Sequence, residues 1–206
     1  MQLLTKEYIK TLKTNGNGGI STLIKQFNDI GSLTFILENL GHLPKDFDSS
    51  FLPSLLLHKN ASVRLWVIKT FGKLKDDKFL PLLVSSALND KDTSVRREAV
   101  SSIGRMRSTN AKSILFEILN DNDPKIVCQA IRGLLVFKGD KDVDEVLAHL
   151  VNHENEMVRT VIYKEYYSIK KEKYDQNHTE SYKNIKNVVV NGDTIEVMNL
   201  LKDESI

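Results

Sequence analysis

The stretch "DTSVRREAVSSIGRMR", Asp92 to Arg107, decides the fold. Its apolar residues Val95, Ala99, Val100, Ile103 and Met106 recur at helical spacing and make one stripe of an amphipathic helix. Asp92 stands in front of them as an N-cap, a residue whose side-chain oxygen takes a free backbone N–H of the first turn. Three further stretches align with it without gaps: "NASVRLWVIKTFGKLK" from Asn60, "DPKIVCQAIRGLLVFK" from Asp123 and "NEMVRTVIYKEYYSIK" from Asn155. Their first apolar anchors, Val63, Val95, Ile126 and Val158, lie 32, 31 and 32 residues apart. Self-similarity at such a period marks a repeat architecture.

Upstream of each copy runs a second apolar segment: "FLPSLLLH", "FLPLLVSSALN", "AKSILFEILN" and "VDEVLAHLVN". The repeating unit is therefore predicted to be helix, turn, helix. A weaker copy, "STLIKQFND" with "SLTFILENLGHL", precedes these, so about five units are expected over residues 20–169, with residues 1–19 as an N-terminal cap. One helix pair cannot bury its own apolar face, but stacked pairs share a continuous core. The expected class is all-α, an α-solenoid of about five helix pairs. The openings Asn60-Ala61-Ser62-Val63-Arg64 and Asp92-Thr93-Ser94-Val95-Arg96, with the small positions Gly72, Ala99 and Gly104, resemble the HEAT-repeat family. That resemblance implies a ladder of Asp–Arg contacts between repeats. Arg64, Arg96 and Arg159 are its expected members, and Val127 stands where the third of these four copies should carry an Arg, so the ladder is expected to break there.

Other classes of protein are excluded by composition. The single cysteine, Cys128, allows no internal disulfide framework, and no apolar run approaches the ~18 residues of a membrane span, so no membrane role is expected and the cytoplasm is the expected compartment. Cys128 lacks the His and Asp arrangement of a nucleophile, the five histidines are scattered, and "NGNGG" at residues 15–19 reads as a turn. No metal site or catalytic residue is expected.

The net charge of +2 conceals an uneven distribution. With the anchor as offset 0, offsets 2, 3, 6 and 10 of each second helix point away from the stripe, onto the face a solenoid presents as its concave side. Lys69, Lys73, Arg97, Arg105, Arg132 and Lys164 fall there, with Glu98 the one acid among them. Acidic residues such as Asp90, Asp92, Asp121, Asp123, Asp142, Asp144 and Glu145 collect in the turns and first helices. A basic face of this kind is the footprint of a surface that tracks phosphates, and those six residues are the nucleic-acid-binding candidates; solvated surface is the bland alternative. Offset 12, Lys75, Arg107, Lys138 and Lys170, is basic throughout, which the helix dipole explains without a ligand.

After residue 169 the pattern changes. Residues 170–184, "KKEKYDQNHTESYKN", read as a polar linker, and "NVVV", "NGD" and "TIEVMNLL" read as strand, turn and helix over 185–206. Val188-Val189-Val190, Gly192-Asp193, Leu200-Leu201 and Asp203-Glu204-Ser205-Ile206 resemble the opening of the DNA amino-methyltransferases. The resemblance implies that residues 185–206 begin a truncated α/β domain whose parent enzyme uses S-adenosylmethionine. The family's Pro-Pro-Tyr-type tetrapeptide and its glycine-rich cofactor turn are absent, the last proline being Pro124 and the last glycine Gly192, so no catalytic or cofactor residue carries over. Three functions are then expected as alternatives. The first is a region that positions duplex DNA for such an enzyme. The second is an interaction scaffold binding an acidic protein partner in the same groove. The third is a DNA-repair glycosylase, for which Glu98 is the carboxylate on that face.

Overall fold

A computed structural model describes residues 4–14 and 18–167. Every regular element among them is helical. After a leading helix α1 (Lys6–Thr14), the chain runs through α2 (Gly19–Gln26), α3 (Ile30–Glu38), α4 (Leu52–Leu55), α5 (Ala61–Leu74), α6 (Leu80–Asn89) and α7 (Thr93–Met106). It continues with α8 (Thr109–Ile118), α9 (Pro124–Leu134), α10 (Lys141–His149) and α11 (Glu156–Val161), the last extended by a π-helical turn, Ile162–Tyr167. The even-numbered helices from α2 are the first members of the repeat pairs and the odd-numbered ones from α3 are the second. The strand-turn-helix expected over 185–206, and with it the methyltransferase and S-adenosylmethionine expectations, lies outside the described residues.

The caps form as the sequence predicts. The Asn60 Oδ1 accepts from the Ser62 and Val63 amides, the Asp92 Oδ1 from Ser94 and Val95, the Asp123 Oδ1 from Lys125 and the Asn155 Oδ1 from Met157. The apolar stripes of α5, α7 and α9 are fully buried at Val63, Val67, Ile68, Phe71, Val95, Ala99, Val100, Ile103, Ile126, Ala130, Ile131 and Leu134. One first helix departs from expectation. "FLPSLLLH" makes only the single turn α4, and Leu57 beyond it is 88% exposed, because the few residues before the Asn60 cap leave no room for a longer helix.

Second helices lie side by side, α5 against α7 against α9, and glycine sets their spacing. A Cβ added to Gly104 would come within 2.7 Å of the Gly133 Cα, and one added to Gly72 within 2.6 Å of the Ser102 Oγ. Ser102 in turn donates to the Ile68 carbonyl across the same seam, 3.1 Å away. This close approach buries two residues expected to face outward, Cys128 (2% exposed) and Val161 (7%), because neighbouring helices cover the flanks of so tightly packed a layer.

The Arg–Asp ladder runs along the edge formed by the turns within each pair. Arg64 makes a two-pronged contact with Asp90 of the next repeat at 2.7 Å on both bonds, and Arg96 reaches Asp121 of the repeat after it. Asp90 and Asp121 also accept the backbone N–H of the caps Asp92 and Asp123. At the two equivalent positions stand His58 and His153, whose Nδ1 atoms accept from the Asn60 and Asn155 amides at 3.1 and 3.0 Å. Histidine 153 follows the copy that carries Val127, so arginine and aspartate are lost together at that rung.

Two offset-12 residues do more than complement a dipole. Lys75 and Arg107 close α5 and α7 in the left-handed region, at φ 52° and 57°. A side chain there costs about 1–2 kcal/mol, and glycine returns roughly 0.5–1 kcal/mol of that through its looser unfolded chain. Lys75→Gly and Arg107→Gly are each expected to stabilise by about 0.5–1 kcal/mol, read as a higher urea midpoint at constant slope.

Candidate functional site

The face made by α5, α7, α9 and α11 carries all six cations singled out by spacing, and packing divides them into two groups. Arg105 is tied down. It pairs with Glu98, donates to the Ser101 and Ser102 hydroxyls at 3.1 and 2.7 Å, and lies over Gly72 of the preceding repeat. Arg132 pairs with Glu165 at 2.8 Å. The sequence reading counted one acid on this face and missed Glu165. Glu165 stands at offset 7, the position from which Ser102 of α7 reaches back to Ile68 of the preceding repeat, and from there its carboxylate meets α9. Glu98 and Glu165 neutralise Arg105 and Arg132, so the face is not the uniform row of cations that spacing suggested.

The second group, Lys69, Lys73, Arg97 and Lys164, has no carboxylate partner among the described residues. The Lys69 ammonium instead sits 4.3 Å from the ring centre of Trp66, a cation–π contact that leaves the half-buried indole on the surface. Burial, then the charges of Lys69, Arg105 and Lys13, push the Lys73 ammonium below its ordinary value, with Glu98 opposing. Lys13, from α1, donates to the Leu40 carbonyl at 2.7 Å and adds a cation the repeat pattern could not reveal, since α1 stands outside the repeat register. Lys73 thus lies where four cations converge and one carboxylate only partly offsets them.

Cys128 belongs to this region without offering chemistry to it. It is buried, and burial pushes its thiol up, with Arg132, Glu165 and Arg97 the charged groups acting on it. A thiol held in its protonated form is a poor nucleophile. No helix among the described residues is long and apolar enough to cross a membrane.

The arrangement can therefore grip an anionic surface and an apolar side chain together. Lys69, Lys73, Arg97 and Lys164 supply charge, while Trp66 and the exposed Val136 supply apolar contact. No curated protein sequence matches the chain. The structure of the complex of CpcE and CpcF of phycocyanin lyase from Nostoc sp. PCC7120 is similar at a TM-score of 0.54, with 21% identity over 77% of this chain and 98% of that one. Residues 49–135 match the family model for HEAT repeats. The described part of the chain is an all-helical, solenoid-like stack of helix pairs that carries HEAT repeats.

Proposed function

We propose that this chain is a protein-interaction scaffold whose second-helix face binds an acidic segment of a partner protein. The observation that carries the reading is the cation-rich second-helix face: Lys69 lies against the half-buried Trp66, Lys73 is on the same helix, and Arg97 and Lys164 stand on later second helices, all four without carboxylate partners among the described residues. Tryptophan and arginine are among the usual anchors of protein interfaces, and the lysines supply the charge complementarity that steers an acidic partner. The Glu98 and Glu165 carboxylates on the same face disfavour an unbroken phosphate backbone, whereas a polypeptide can place its own charges between them. The similar solved structure is itself a complex of two protein chains, which supports a partner of the same kind.

Competition tests this reading against the duplex-DNA alternative. A fluorescein-labelled peptide of alternating Glu and Leu is titrated with the chain, then with short duplex DNA as competitor. The peptide is expected to bind saturably, and K69A/K73A to weaken it by about tenfold, which is about 1.4 kcal/mol. Unchanged affinity in that variant would remove the face from the interaction. Tighter binding of the duplex, with a log–log salt slope falling by about 0.9 for each cation removed, would restore the DNA reading.

A further inference from the structure

The basic face is not uniform along its length, and its cations crowd together where α3, α5 and α7 lie side by side. Lys13 of α1 donates to the Leu40 carbonyl just past α3 at 2.7 Å, and its Nζ lies over Gly41, 3.9 Å from where a Cβ on that glycine would stand. One repeat further on, Arg105 of α7 lies over Gly72 of α5, its Nε 2.9 Å from such a Cβ. Lys73 follows Gly72 in the chain, and the charges of Lys69, Arg105 and Lys13 all act on it, with Glu98 opposing. Lys10 adds its charge to Lys13. Five cations thus stand against two acids: Glu98, already bonded to Arg105, and the exposed Glu38 of α3, which makes no ion pair among the described residues. Elsewhere the chain supplies a lysine with acids of its own, as where Lys112 meets both Asp140 and Asp142.

We propose that Lys13, Lys69, Lys73 and Arg105 form a phosphate-monoester site, filled by a phosphorylated serine or threonine of the acidic segment that the second-helix face binds. The proposal rests on the scaffold reading and deepens it. Crowded cations repel one another, so such a cluster gains most from the most highly charged anion it can hold. A side-chain carboxylate brings one negative charge, whereas a phosphate monoester brings about −1.5 to −2 at pH 7 and three acceptor oxygens. Those oxygens suit donors that arrive from different helices: Lys13 from α1, Lys69 and Lys73 from α5, and Arg105 from α7. The bond to Leu40 takes one of the three Lys13 N–H donors, and Trp66 holds Lys69 at 4.3 Å without supplying an acceptor oxygen. Burial first, and like charges second, push the Lys13 and Lys73 ammoniums below their ordinary values, and a bound dianion relieves the second cause. A continuous phosphate backbone is the poorer match. The crowding is confined to one end of the face, and Glu165 beside Arg132 interrupts the cations further along.

The test uses the whole chain and labelled peptides of alternating Glu and Leu that differ at one central residue: serine, phosphoserine or glutamate. The phosphoserine peptide is expected to bind about tenfold more tightly than the serine peptide, and the glutamate peptide no more than about threefold more tightly. K13M keeps an apolar stem and removes the charge, its folding being checked by thermal unfolding. It is expected to bring the phosphoserine preference down to about threefold or less while leaving the serine peptide within about twofold of its parent affinity. K164A, on the last second helix, is expected to leave the preference unchanged. Saturable and equal binding of the serine and phosphoserine peptides overturns this site and leaves the scaffold reading standing, whereas no saturable binding of any peptide removes both. A glutamate peptide as tight as the phosphoserine one also overturns it, as does an undiminished preference in folded K13M. If that variant fails to fold, K73A decides by the same ratio. Inorganic phosphate that displaces the labelled phosphoserine peptide as effectively as the unlabelled peptide does would assign the cluster to free phosphate and overturn the partner assignment.

Discussion

Arg64→Ala is expected to destabilise the fold by about 3–5 kcal/mol, the cost of leaving one member of a buried ion pair without its partner. The two side chains are only 6% and 9% exposed. The guanidinium joins three pieces of chain: it donates twice to Asp90, and once each to the His58 and Lys59 carbonyls at 2.9 and 3.0 Å. Alanine therefore loses the tie between two repeats and strands a carboxylate in the interior. The penalty should also depend on pH. Burial pushes the Asp90 carboxyl up, but the bonds from Arg64 and from the Asp92 amide outweigh it and hold the group below its ordinary value. A depressed folded value means that the stabilisation is complete above the unfolded value, about 3.9, and is lost as pH falls through the folded one. In Arg64→Ala the stranded carboxylate is instead relieved by protonation. The gap between parent and variant is then largest near neutral pH and narrows below about pH 4. Urea unfolding at neutral and acid pH measures both, and a gap below about 1 kcal/mol, or one that ignores pH, would show that the rung contributes little.

Gly104→Ala tests the spacing of the helix layer. Alanine is the better helix former by about 1 kcal/mol, so an isolated α7 would gain. In the stack the new methyl would meet the Gly133 Cα at 2.7 Å, and backbone cannot swing aside as a side chain can. The net expected result is a loss of about 1–3 kcal/mol as α7 and α9 are driven apart. Gly72→Ala should cost a similar amount: its methyl meets the buried Ser102 at both Oγ (2.6 Å) and Cβ (2.8 Å), the latter held in place by the backbone, and of its neighbours only the Arg105 guanidinium can move well aside. That movement would loosen Arg105 from Glu98 and so change the charge of the basic face, joining the packing of the layer to the surface it presents. Parent-like stability in Gly104→Ala would mean that the layer yields easily and that glycine is not what fixes its spacing.

The sequence alone determined the local features. An N-cap acts within three residues of itself and an apolar stripe repeats every turn. The caps Asn60, Asp92, Asp123 and Asn155, the stripes they introduce and the period of about 32 were therefore legible without coordinates, as was the break at Val127. The tertiary structure decided which cations of the basic face are free. Arg132 meets Glu165 across 33 residues of chain, from an offset on the flank that packs against the preceding repeat. Lys13 joins Lys73 from a helix outside the repeat, Cys128 is covered from the flanks, and at the lost rung His153 takes the place of aspartate just as Val127 takes that of arginine. Each of these depends on lateral contact between helices some thirty to sixty residues apart. Periodicity specifies which side of a helix is apolar, but the energy of a charge depends on what lies within a few ångströms of it, and only packing brings those neighbours together.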